Sequence, residues 1–251
     1  MAPVSVTIIT RDEAAHIAAV LRSVSWADEV IVVDSESRDD TVAIARRHAT
    51  QVVVRPWPGY GAQKNFAAGL ASHDWILSID ADERVTPALA ENIVRALHSN
   101  PTAAAFRIPR VTYHLGRWIR STDWYPDHQL RLYDRRRARW NTRPVHEALI
   151  VDGDVQLLRG ELQHLAYRDL SHHLATIDRY TSLAAAVMYE EGRRTRALDL
   201  VLHPPLAFFR NYVLRRGFRD GAAGLIVSLL NSYYVMLKFA KLWELQRPPR
   251  A

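Results

Sequence analysis

The sequence predicts an α/β protein with a doubly wound, mostly parallel β-sheet, and three observations lead to this fold class. Strand-like and helix-like segments alternate through the first hundred residues, an order typical of parallel sheets with helices on both faces. The strand-like segments are short apolar runs rich in β-branched residues, as in strands that are buried on both sides. With 251 residues, of which 48% are apolar, the chain is long enough for one enzyme-sized domain with a substantial core.

Local signals place the elements of this first part. Apolar, β-branched runs predict four strands, at Val4–Thr10, Glu29–Val33, Gln51–Arg55 and Trp75–Ile79. Helical spacing and capping residues predict four helices, over Glu13–Ser23, from Asp39 or Asp40 to His48, over Ala62–Ala71 and from Pro87 to about Leu97. The last helix has the sharpest start, because Thr86 is a suitable N-cap and Pro87 fits the first helical position.

After residue 102 the pattern changes. Short segments rich in aromatic residues and arginine predict a mixed or antiparallel extension, with strands at Ala105–Arg110, Tyr113–Ile119, Gln129–Tyr133, Val145–Val151 and Val155–Leu158. From Ser171 the spacing is helical again, and helices are predicted over Pro204–Arg216 and Gly221–Trp243. We expect a single domain, residues 1–251, whose parts are 1–102, 103–165 and a helical tail at 166–251.

Composition narrows the chemistry. Because the chain has no cysteine, a disulfide framework, a thiolate metal site, an iron–sulfur cluster and a cysteine nucleophile are excluded, and any metal must be held by Asp, Glu or His. The 33 Lys and Arg residues exceed the 27 Asp and Glu residues by 6, which suits nucleic acid, an anionic membrane or a phosphorylated substrate without choosing among them.

Targeting and membrane signals are weak. No basic stretch precedes an apolar run at the N-terminus, so a cytoplasmic protein is expected. The uncharged stretch Gly221–Leu237 is shorter than the roughly 20 apolar residues that span a bilayer, and it is not predicted to cross one.

Polar residues gather just after three of the predicted strands. They are Thr10 to Glu13, Asp34 with Ser35, and Asp80 to Asp82. Ligands of doubly wound sheets bind beyond the carboxyl ends of the strands, so these three loops are expected to line one crevice. Asp39 and Asp40, in contrast, are interpreted as helix caps.

One of these loops and a glycine-rich segment favour diphosphate chemistry. Asp80 and Asp82, with Glu83 beside them, bring together hard oxygen ligands that suit Mg²⁺ or Mn²⁺ bound to a diphosphate. Gly59-Tyr60-Gly61-Ala62-Gln63-Lys64 places two glycines ahead of a predicted helix, where backbone amides and the helix dipole can hold a phosphate. Lys64, the only lysine among the first 237 residues, would add a positive charge there.

Together these features resemble the family 2 glycosyltransferases, which have the GT-A fold. The resemblance lies in Val-Thr-Ile-Ile-Thr-Arg-Asp-Glu (6–13), Ile-Val-Val-Asp-Ser (31–35) with Asp39-Asp40-Thr41, and Leu-Ser-Ile-Asp-Ala-Asp-Glu (77–83). It implies that Thr10, Asp12 or Glu13, and Asp34 hold the uridine and ribose of a UDP-sugar, while Asp80 and Asp82 serve the ribose and the metal. The expected donor-binding residues are Thr10, Arg11, Asp12, Glu13, Asp34, Ser35, Gln63, Lys64, Asp80 and Ala81. The expected metal is Mn²⁺ or Mg²⁺, held mainly by Asp82 with support from Asp80. The family pattern usually has Asn in place of Asp12 and Gly in place of Glu36.

A narrower resemblance, over nearly the whole chain, is to the bacterial lipopolysaccharide-core β-1,4-glucosyltransferases. It lies in Pro-Trp-Pro-Gly-Tyr-Gly-Ala-Gln-Lys-Asn (56–65), Leu-Gly-Arg-Trp-Ile-Arg (115–120), Trp-Tyr-Pro-Asp-His-Gln-Leu-Arg-Leu-Tyr (124–133), Arg-Pro-Val-His-Glu (143–147) and Lys-Phe-Ala-Lys-Leu-Trp-Glu (238–244). This resemblance implies transfer of a sugar, typically glucose from UDP-glucose, to an inner-core heptose at the cytoplasmic face of the membrane. The implied partners are a nucleotide-sugar donor and a lipid-linked oligosaccharide acceptor, with no nucleic acid. On this interpretation residues 1–102 bind the nucleotide and residues 103–165 bind the acceptor.

Inverting transfer needs a carboxylate that takes the proton of the acceptor hydroxyl. Asp127 is the first candidate, because Asp127-x-x-Leu130-Arg131 is similar to the family's acidic motif that carries the base. Glu147 is the second candidate. His146 beside it is a candidate third metal ligand or diphosphate contact, and a structural role stays open for it.

Two regions leave their partner open. Arginines and aromatic residues between 107 and 143 suit a phosphorylated oligosaccharide but also RNA, and most of Arg135-Arg136-Arg137 is expected to be a solvated charged turn. The segment 205–243 could lie on an anionic membrane, pack in a core or form a subunit contact. Two other functions remain as alternatives: a nucleotidyltransferase that uses an NTP and the same carboxylate pair, and a non-enzymatic, basic RNA-binding module.

Overall fold

The computed structural model describes residues 2–99, 101–141 and 147–247, and the chain forms two compact units. The sheet unit comprises residues 1–110 and 127–164, and the helical unit comprises residues 111–126 and 165–251. The segment 111–126 therefore groups with the helices that follow residue 164, although the sequence places it among the strands of 103–165.

The strands of the chain are as follows: β1 (Val4–Thr10), β2 (Glu29–Asp34), β3 (Gln51–Val54), β4 (Trp75–Asp80), β5 (Glu83–Val85), β6 (Ala105–His114), β7 (Arg117–Ile119), β8 (Asp127–Asp134), β9 (Ala138–Trp140), β10 (Leu149–Val151), β11 (Val155–Leu157) and β12 (Leu162–His164). In the sheet unit the spatial order is β3-β2-β1-β4-β8-β6-β12-β5, with β11 beside β6. The strands β3, β2, β1 and β4 pair in parallel, whereas β8 is antiparallel to both β4 and β6. The predicted α/β class, a parallel sheet with an antiparallel extension, is confirmed.

Helices cover both faces of the parallel part. They are α1 (Ile17–Ser23), α2 (Thr41–Ala45), α3 (Tyr60–Leu70) and α4 (Pro87–His98). Val6 and Ile8 of β1 belong to one buried cluster with Leu89 of α4, whereas Ile31 of β2 packs in a second cluster with Ala67 of α3. Alternate strand residues thus face two different apolar layers, which explains why these strands are apolar throughout.

Two helices start away from their predicted positions. α1 begins at Ile17, four residues late, because the backbone N–H groups of Glu13 and Ala14 bond instead to Thr41 Oγ1 (2.7 Å) and Asp39 Oδ2 (3.0 Å). α3 begins at Tyr60, two residues early, because Gly59 takes a φ of 105° at the N-cap, a conformation open to glycine. Gly61 consequently lies inside the helix rather than ahead of it.

The strand predictions after residue 102 were too coarse. The region predicted as one strand from Tyr113 to Ile119 is the turn of a hairpin, in which Leu115 and Gly116 take φ angles of 51° and 80° between β6 and β7. The short antiparallel pair β5–β12 was not predicted. β10 begins at Leu149 and pairs with β9 alone, and the start of the strand predicted from residue 145 lies outside the described residues.

The helical unit is built on α5 (Leu170–Glu190), α6 (Ala197–Phe209) and α7 (Gly221–Leu245). The helix predicted to start at Pro204 starts instead at Ala197, where Asp199 accepts the N–H of Arg196 (2.7 Å). Pro204 and Pro205 lie inside this helix, and Ser232 Oγ of α7 donates to the carbonyl of Pro204 (2.7 Å). Hydrogen bonds from α7 therefore help to support the part of α6 that contains prolines.

The segment 111–126 is bound to these helices by buried side chains. Asp220 accepts hydrogen bonds from Ser121 Oγ (2.5 Å) and the backbone N–H of Arg120 (2.9 Å). Asn211 accepts the N–H of Asp123 (2.9 Å). Among the described residues, one helical stretch, Gly217–Leu245, has the length and composition of a membrane-crossing segment.

Candidate functional site

The ladder register of the parallel strands gathers the polar loops at one edge of the sheet. Thr10 at the end of β1 lies opposite Asp34 at the end of β2, and Ile9 lies opposite Asp80 at the end of β4. The sequence-predicted loops after these strands therefore start side by side. This edge is where doubly wound sheets bind ligands.

The first two loops are joined through Ser37. The fully buried Asp34 accepts the backbone N–H of Ser37 at Oδ1 (2.8 Å) and its hydroxyl at Oδ2. Ser37 Oγ in turn accepts the N–H of Asp12 (2.8 Å), and Asp12 Oδ1 accepts the N–H of Arg38 (2.7 Å). The exposed Arg11 lies 3.7 Å from Asp12. These bonds hold both loops in one arrangement.

The positions that depart from the family pattern have an unusual backbone. Asp12 and Glu36 take φ angles of 54° and 60°, in the left-handed region. Asn and Gly, the usual family residues at these two positions, are the types that adopt this region most readily. The family preference therefore has a conformational cause, and this chain keeps the conformation with less suited residues.

Two buried polar atoms at this edge have no hydrogen-bond partner among the described residues. They are Thr10 Oγ1 and Gln63 Oε1. Gln63 comes from α3 and uses its amide nitrogen to donate to Ser35 Oγ (3.1 Å), and Ser35 donates its own N–H to the carbonyl of Thr10 (2.9 Å). A buried polar atom without a partner is unfavourable, so the site is suited to a polar ligand that supplies partners.

Lys64 is buried beside Asp80 rather than solvated. Only 2% of Lys64 is exposed, and its Nζ lies 3.2 Å from Asp80 Oδ1, 4.0 Å from Glu147 Oε1 and 4.6 Å from the centre of the Trp140 ring. Arg131 Nη2 donates to the other oxygen of Asp80 (2.6 Å). Burial would raise the pKa of Asp80, but the charges of Arg131 and Lys64 outweigh burial and hold that pKa far below its usual range. Asp80 is therefore a permanent anion between two cations.

Glu83 extends this arrangement toward Asp127. The fully buried Glu83 accepts hydrogen bonds at Oε1 from Arg131 Nη2 (2.7 Å) and Arg110 Nη1 (3.0 Å), and at Oε2 from the N–H of Asp80 (3.0 Å). Arg110 donates Nε (2.9 Å) and Nη2 (2.7 Å) to Asp127 Oδ2. The charged groups therefore alternate in sign along Lys64, Asp80, Arg131, Glu83, Arg110 and Asp127, and we call this set the interior ion chain.

The far end of the interior ion chain is a carboxylate with both oxygens held. Gln129 Nε2 donates to Asp127 Oδ1 (2.7 Å) while Arg110 occupies Oδ2. Asp127 and Gln129 are two residues apart on β8, so they share one face of the strand, and Arg110 is the cross-strand partner of Asp127 on β6. The ladder register shifts between Leu130 and Leu132, at Arg131. The carboxylate has a set direction although a third of its side chain is exposed.

Asp82 lies apart from the interior ion chain and has a different partner. Its Oδ2 is 3.3 Å from Nε2 of His164 on β12, while Ala81 between the two aspartates is buried. Burial, and more weakly the Asp82 carboxylate, raise the pKa of Glu13, against a hydrogen bond from His16 that lowers it.

The described residues do not contain a group of three or more metal-ligating side chains already gathered. Asp82 offers a hard oxygen and His164 a nitrogen, whereas both oxygens of Asp80 already face cations, Lys64 and Arg131. This donor set suits a divalent cation that takes its remaining ligands from water and a diphosphate. The predicted third ligand, His146, lies outside the described residues.

The arginine turn after β8 is mostly solvated, as predicted, since Arg136 and Arg137 are exposed and Arg135 is half-buried. Arg135 donates to the carbonyls of Ala68 (2.9 Å) and Ala71 (2.6 Å) at the end of α3, as cations at helix ends commonly do. Arg137 donates to the carbonyls of Thr102 (2.9 Å) and Asp152 (3.2 Å), which lie outside the helices.

Sequence reasoning did not assign roles to Glu83, Arg110, Arg131 and His164. Arg131 stood in the quoted motif around Asp127, and Glu83 stood beside the aspartate pair. Charged residues alternate with apolar ones in β6 and β8, but a strand with one solvated face shows the same alternation, so this pattern did not indicate that the charges are buried. The identity of their partners depends on the pairing of β4, β6 and β8, which sequence periodicity does not specify.

Comparison with known proteins identifies the family of this chain. The model of the family described as Glycosyl transferase family 2 matches residues 5–150. A lipopolysaccharide core biosynthesis glycosyltransferase, LpsC of Rhizobium meliloti (strain 1021), is 30% identical over 249 residues, which cover 96% of this chain and 92% of that protein. An uncharacterized glycosyltransferase of Rickettsia felis is 34% identical over 97% of this chain and 90% of its own length.

A similar solved structure is glucosyl-3-phosphoglycerate synthase from Mycobacterium tuberculosis in complex with Mn²⁺, UDP and glucosyl-3-phosphoglycerate. It is 26% identical, covers 46% of this chain and 45% of its own, and has a TM-score of 0.38. The family match and the two relatives of nearly equal length confirm the resemblance drawn from the sequence. The chain belongs to glycosyl transferase family 2 and is a glycosyltransferase with the α/β fold of the GT-A enzymes.

Proposed function

We propose that this enzyme is an inverting hexosyltransferase that moves a sugar from a UDP-sugar, with UDP-glucose the expected donor, to a lipid-linked oligosaccharide. The observation that carries the proposal is the interior ion chain, which joins the carboxylate at the end of β4 to a fixed carboxylate on β8 through buried hydrogen bonds. The interior ion chain fixes the distance and orientation between Asp80, on the donor side, and Asp127, the candidate base, as group transfer requires.

The donor is assigned to the edge formed by β1, β2 and α3. Thr10, Asp12 or Glu13, and Asp34 would hold the uridine and ribose, and the unpartnered oxygens of Thr10 and Gln63 offer hydrogen-bonding positions to a nucleoside. Lys64 would face the diphosphate from its buried position beside Asp80. Burial of this ammonium keeps its charge from being screened by solvent.

A divalent cation, Mn²⁺ or Mg²⁺, is assigned to Asp82 with support from Asp80, and His164 is the nearest further ligand. When bound, such an ion neutralises charge on the departing diphosphate. The polypeptide itself contributes Lys64, whose positive charge acts on the same departing diphosphate.

Asp127 is assigned as the general base. The acceptor hydroxyl oxygen forms a bond to the anomeric carbon from the side opposite UDP, the bond from that carbon to the diphosphate oxygen breaks, and UDP leaves with the bonding electrons. The hydroxyl proton passes to Asp127, whose orientation is set by Arg110 and Gln129. Glu147, 4.0 Å from Lys64, is the second candidate for this role.

The acceptor is assigned to the class of lipopolysaccharide inner-core heptose or a similar glycolipid, in keeping with the family and with the relative LpsC. A lipid-linked acceptor would place the enzyme in the cytoplasm at the inner face of the membrane, and contact with anionic lipid is one of the three roles left open for residues 205–243. The family assignment favours sugar transfer over nucleotidyl transfer and over RNA binding.

The products of two incubations with Mn²⁺ test the reaction class. With UDP-glucose and an acceptor extract the enzyme should release UDP, and with a nucleoside triphosphate it should release no pyrophosphate. A panel of UDP- and GDP-sugars should raise the melting temperature only for the true donor, because a bound ligand stabilises the folded state. Thr10→Val and Gln63→Leu should reduce that rise. Pyrophosphate release without UDP release would overturn the proposal.

A further inference from the structure

The helical unit carries an exposed apolar face on α6 and the short helical segment Arg210–Leu214 that follows it. Its members are large apolar side chains that are 47–65% exposed, and we call them the α6 face: Leu198, Val201, Leu202, Leu206, Phe209 and Leu214. Five of them lie three or four residues apart along the helix, so they form one stripe roughly 17 Å long at 1.5 Å per residue. Stripes of this kind normally point into a core.

The opposite side of α6 is already packed. Ala207 is buried, His203 stacks on Phe239 of α7 with the ring centres 4.7 Å apart, and Pro204 is bonded to Ser232 of α7. The α6 face is therefore not the side through which this helix joins the rest of its unit. Large exposed apolar patches on a soluble protein mark a surface that binds a partner or a membrane.

Charge next to the α6 face selects the partner. Residues 198–219 contain four arginines, at 210, 215, 216 and 219, and one acidic residue, Asp199, which accepts the N–H of Arg196. Arg210 and Arg215 pair with Asp123, whereas Arg216 and Arg219 are exposed and make no ion pair within the described residues. An apolar stripe that continues into free arginines matches the boundary of an anionic bilayer, where acyl chains lie beneath phosphate head groups.

A second copy of the chain matches this surface less well. Packing across a two-fold axis would bring two copies of the same net-positive segment into one contact, and like charges oppose association. A bilayer with anionic head groups has the complementary sign.

The neighbouring helix α7 lies along its unit rather than leaving it. Lys241 binds α5 through Asp178 Oδ1 (2.6 Å) and Thr181 Oγ1 (2.9 Å), and Asn231 donates to Asn211 beyond the end of α6 (2.8 Å). Polar bonds near the middle and the end of α7 thus hold it against both neighbours. A helix held in this way would have to break these bonds before it could leave its unit and cross a bilayer.

We propose that the α6 face inserts into the interface of an anionic bilayer, with Arg216 and Arg219 on lipid phosphates, so that the enzyme is a monotopic membrane protein. The proposed contact begins at Leu198, ahead of the region 205–243 that was considered as a possible membrane surface, and it lies on α6 rather than on the last helix. This proposal does not depend on the donor or on the chemistry of sugar transfer.

The test is flotation of the full-length protein with vesicles, without donor or acceptor. Wild-type protein should float with vesicles that contain phosphatidylglycerol and much less with phosphatidylcholine alone. Leu202→Gln/Leu206→Gln should lower vesicle affinity by at least about tenfold, because two apolar side chains no longer leave water. Val155→Gln/Leu157→Gln on β11 is the matched control, since Leu157 is 60% exposed and Leu206 is 61% exposed.

A second pair of variants tests the arginines. Arg216→Ser/Arg219→Ser should weaken binding to anionic vesicles roughly fivefold for each arginine, while Arg46→Ser/Arg47→Ser at the end of α2 should leave it unchanged. Equal flotation of wild type and Leu202→Gln/Leu206→Gln would overturn the proposal. Self-association that depends on the α6 face, with no vesicle binding, would also overturn it and would assign this face to a second copy.

Discussion

The two units of this enzyme distribute charged and apolar groups in opposite ways. In the sheet unit, Lys64, Glu83 and Arg131 are buried with at most 3% exposed, and each meets a charge of opposite sign. In the helical unit, leucine, valine and phenylalanine side chains of α6 lie outside, and Val201 is 65% exposed. The first arrangement is expensive in desolvation unless geometry and hydrogen bonds compensate it. The second leaves apolar area in water.

Each arrangement makes sense if the unit meets a different partner. Buried ion pairs add little net stability compared with apolar packing, so their presence in the sheet unit indicates a demand for fixed charges at a reacting centre. An uncovered apolar stripe adds no stability to an isolated unit, so its presence indicates a surface that is covered in use. The sheet unit is thus suited to polar chemistry and the helical unit to contact with a partner, and variants in the two units should have different effects.

The largest effect is expected at Glu83. Glu83→Gln leaves Arg110 and Arg131 buried with one negative charge fewer, and removal of one partner from a buried ion pair typically costs about 3–5 kcal/mol. Urea unfolding followed by tryptophan fluorescence measures the loss. The control is Glu91→Gln on the exposed side of α4, which should change the free energy of unfolding by less than about 0.5 kcal/mol. If Glu83→Gln and Glu91→Gln lowered the free energy of unfolding equally, the interior ion chain would not differ energetically from exposed charges.

The helical unit should respond to pH through His173. Its Nδ1 lies 3.1 Å from His114 Nε2, and it also faces His172, Tyr167 and Trp124. Burial, with smaller effects from His114 and His172, lowers the pKa of His173 from 6.5 to about 4. The unfolded chain therefore binds this proton at a higher pH than the folded chain, and the stabilisation present above pH 6.5 is lost as the pH falls toward 4, by at most about 3 kcal/mol.

The measurement is the melting temperature of the helical unit between pH 7 and pH 5. His173→Phe, which keeps an aromatic ring in the cluster, should flatten the decrease seen for the wild type, and the exposed His48→Gln should not. If the melting temperature of His173→Phe still decreased with pH as in the wild type, groups other than His173 would be responsible for the pH dependence.

The next effect is expected at Lys64, where the charge serves a ligand. Lys64→Met removes the ammonium that lies beside Asp80 and should weaken UDP binding in calorimetric titration about tenfold, or ~1.4 kcal/mol. Lys238→Met on α7 makes the same chemical change in the helical unit and should leave UDP affinity unaltered. If both variants bind UDP like the wild type, Lys64 serves the fold alone.

The smallest effect is expected at an exposed pair. Arg136 contacts Asp134 (2.6 Å) and Asp74 (3.0 Å) with 63% of its side chain in solvent. Solvent screens such pairs, so Arg136→Ser should change the free energy of unfolding by less than about 1 kcal/mol. A loss as large as that of Glu83→Gln would show that burial does not separate the two kinds of ion pair.

The parallel half of the fold could be predicted from the sequence because each strand and helix there is marked by a local sequence signal. β1, β2 and β4 are single apolar runs, and α4 has a threonine cap followed by proline. β5 and β12 have three residues each, too few for a periodic pattern, and their pairing joins residues about 80 positions apart. The start of α6 was mispredicted because Pro204 suits a first turn, whereas tertiary contacts with α7 support it inside the helix.

The same distinction between local signals and long-range pairing applies to the candidate site. The loops after β1, β2 and β4 could be predicted to converge, since the ends of parallel strands share one edge. The links from Arg131 to Asp80 and Glu83 span 51 and 48 positions and depend on the pairing of β8 with β4 and β6. No local pattern encodes that pairing, so the partners that orient the predicted residues appear only in the folded chain.

Sugar transfer by the sheet unit with Asp127 as the base is tested by the variant Asp127→Asn. UDP release from UDP-glucose is measured for wild type and Asp127→Asn in the presence of Mn²⁺ and acceptor, and UDP affinity is measured for the same samples. We expect Asp127→Asn to bind UDP like the wild type and to lose transfer by about 10²–10⁴-fold, since an amide cannot take the proton. Full transfer activity in Asp127→Asn would contradict the account.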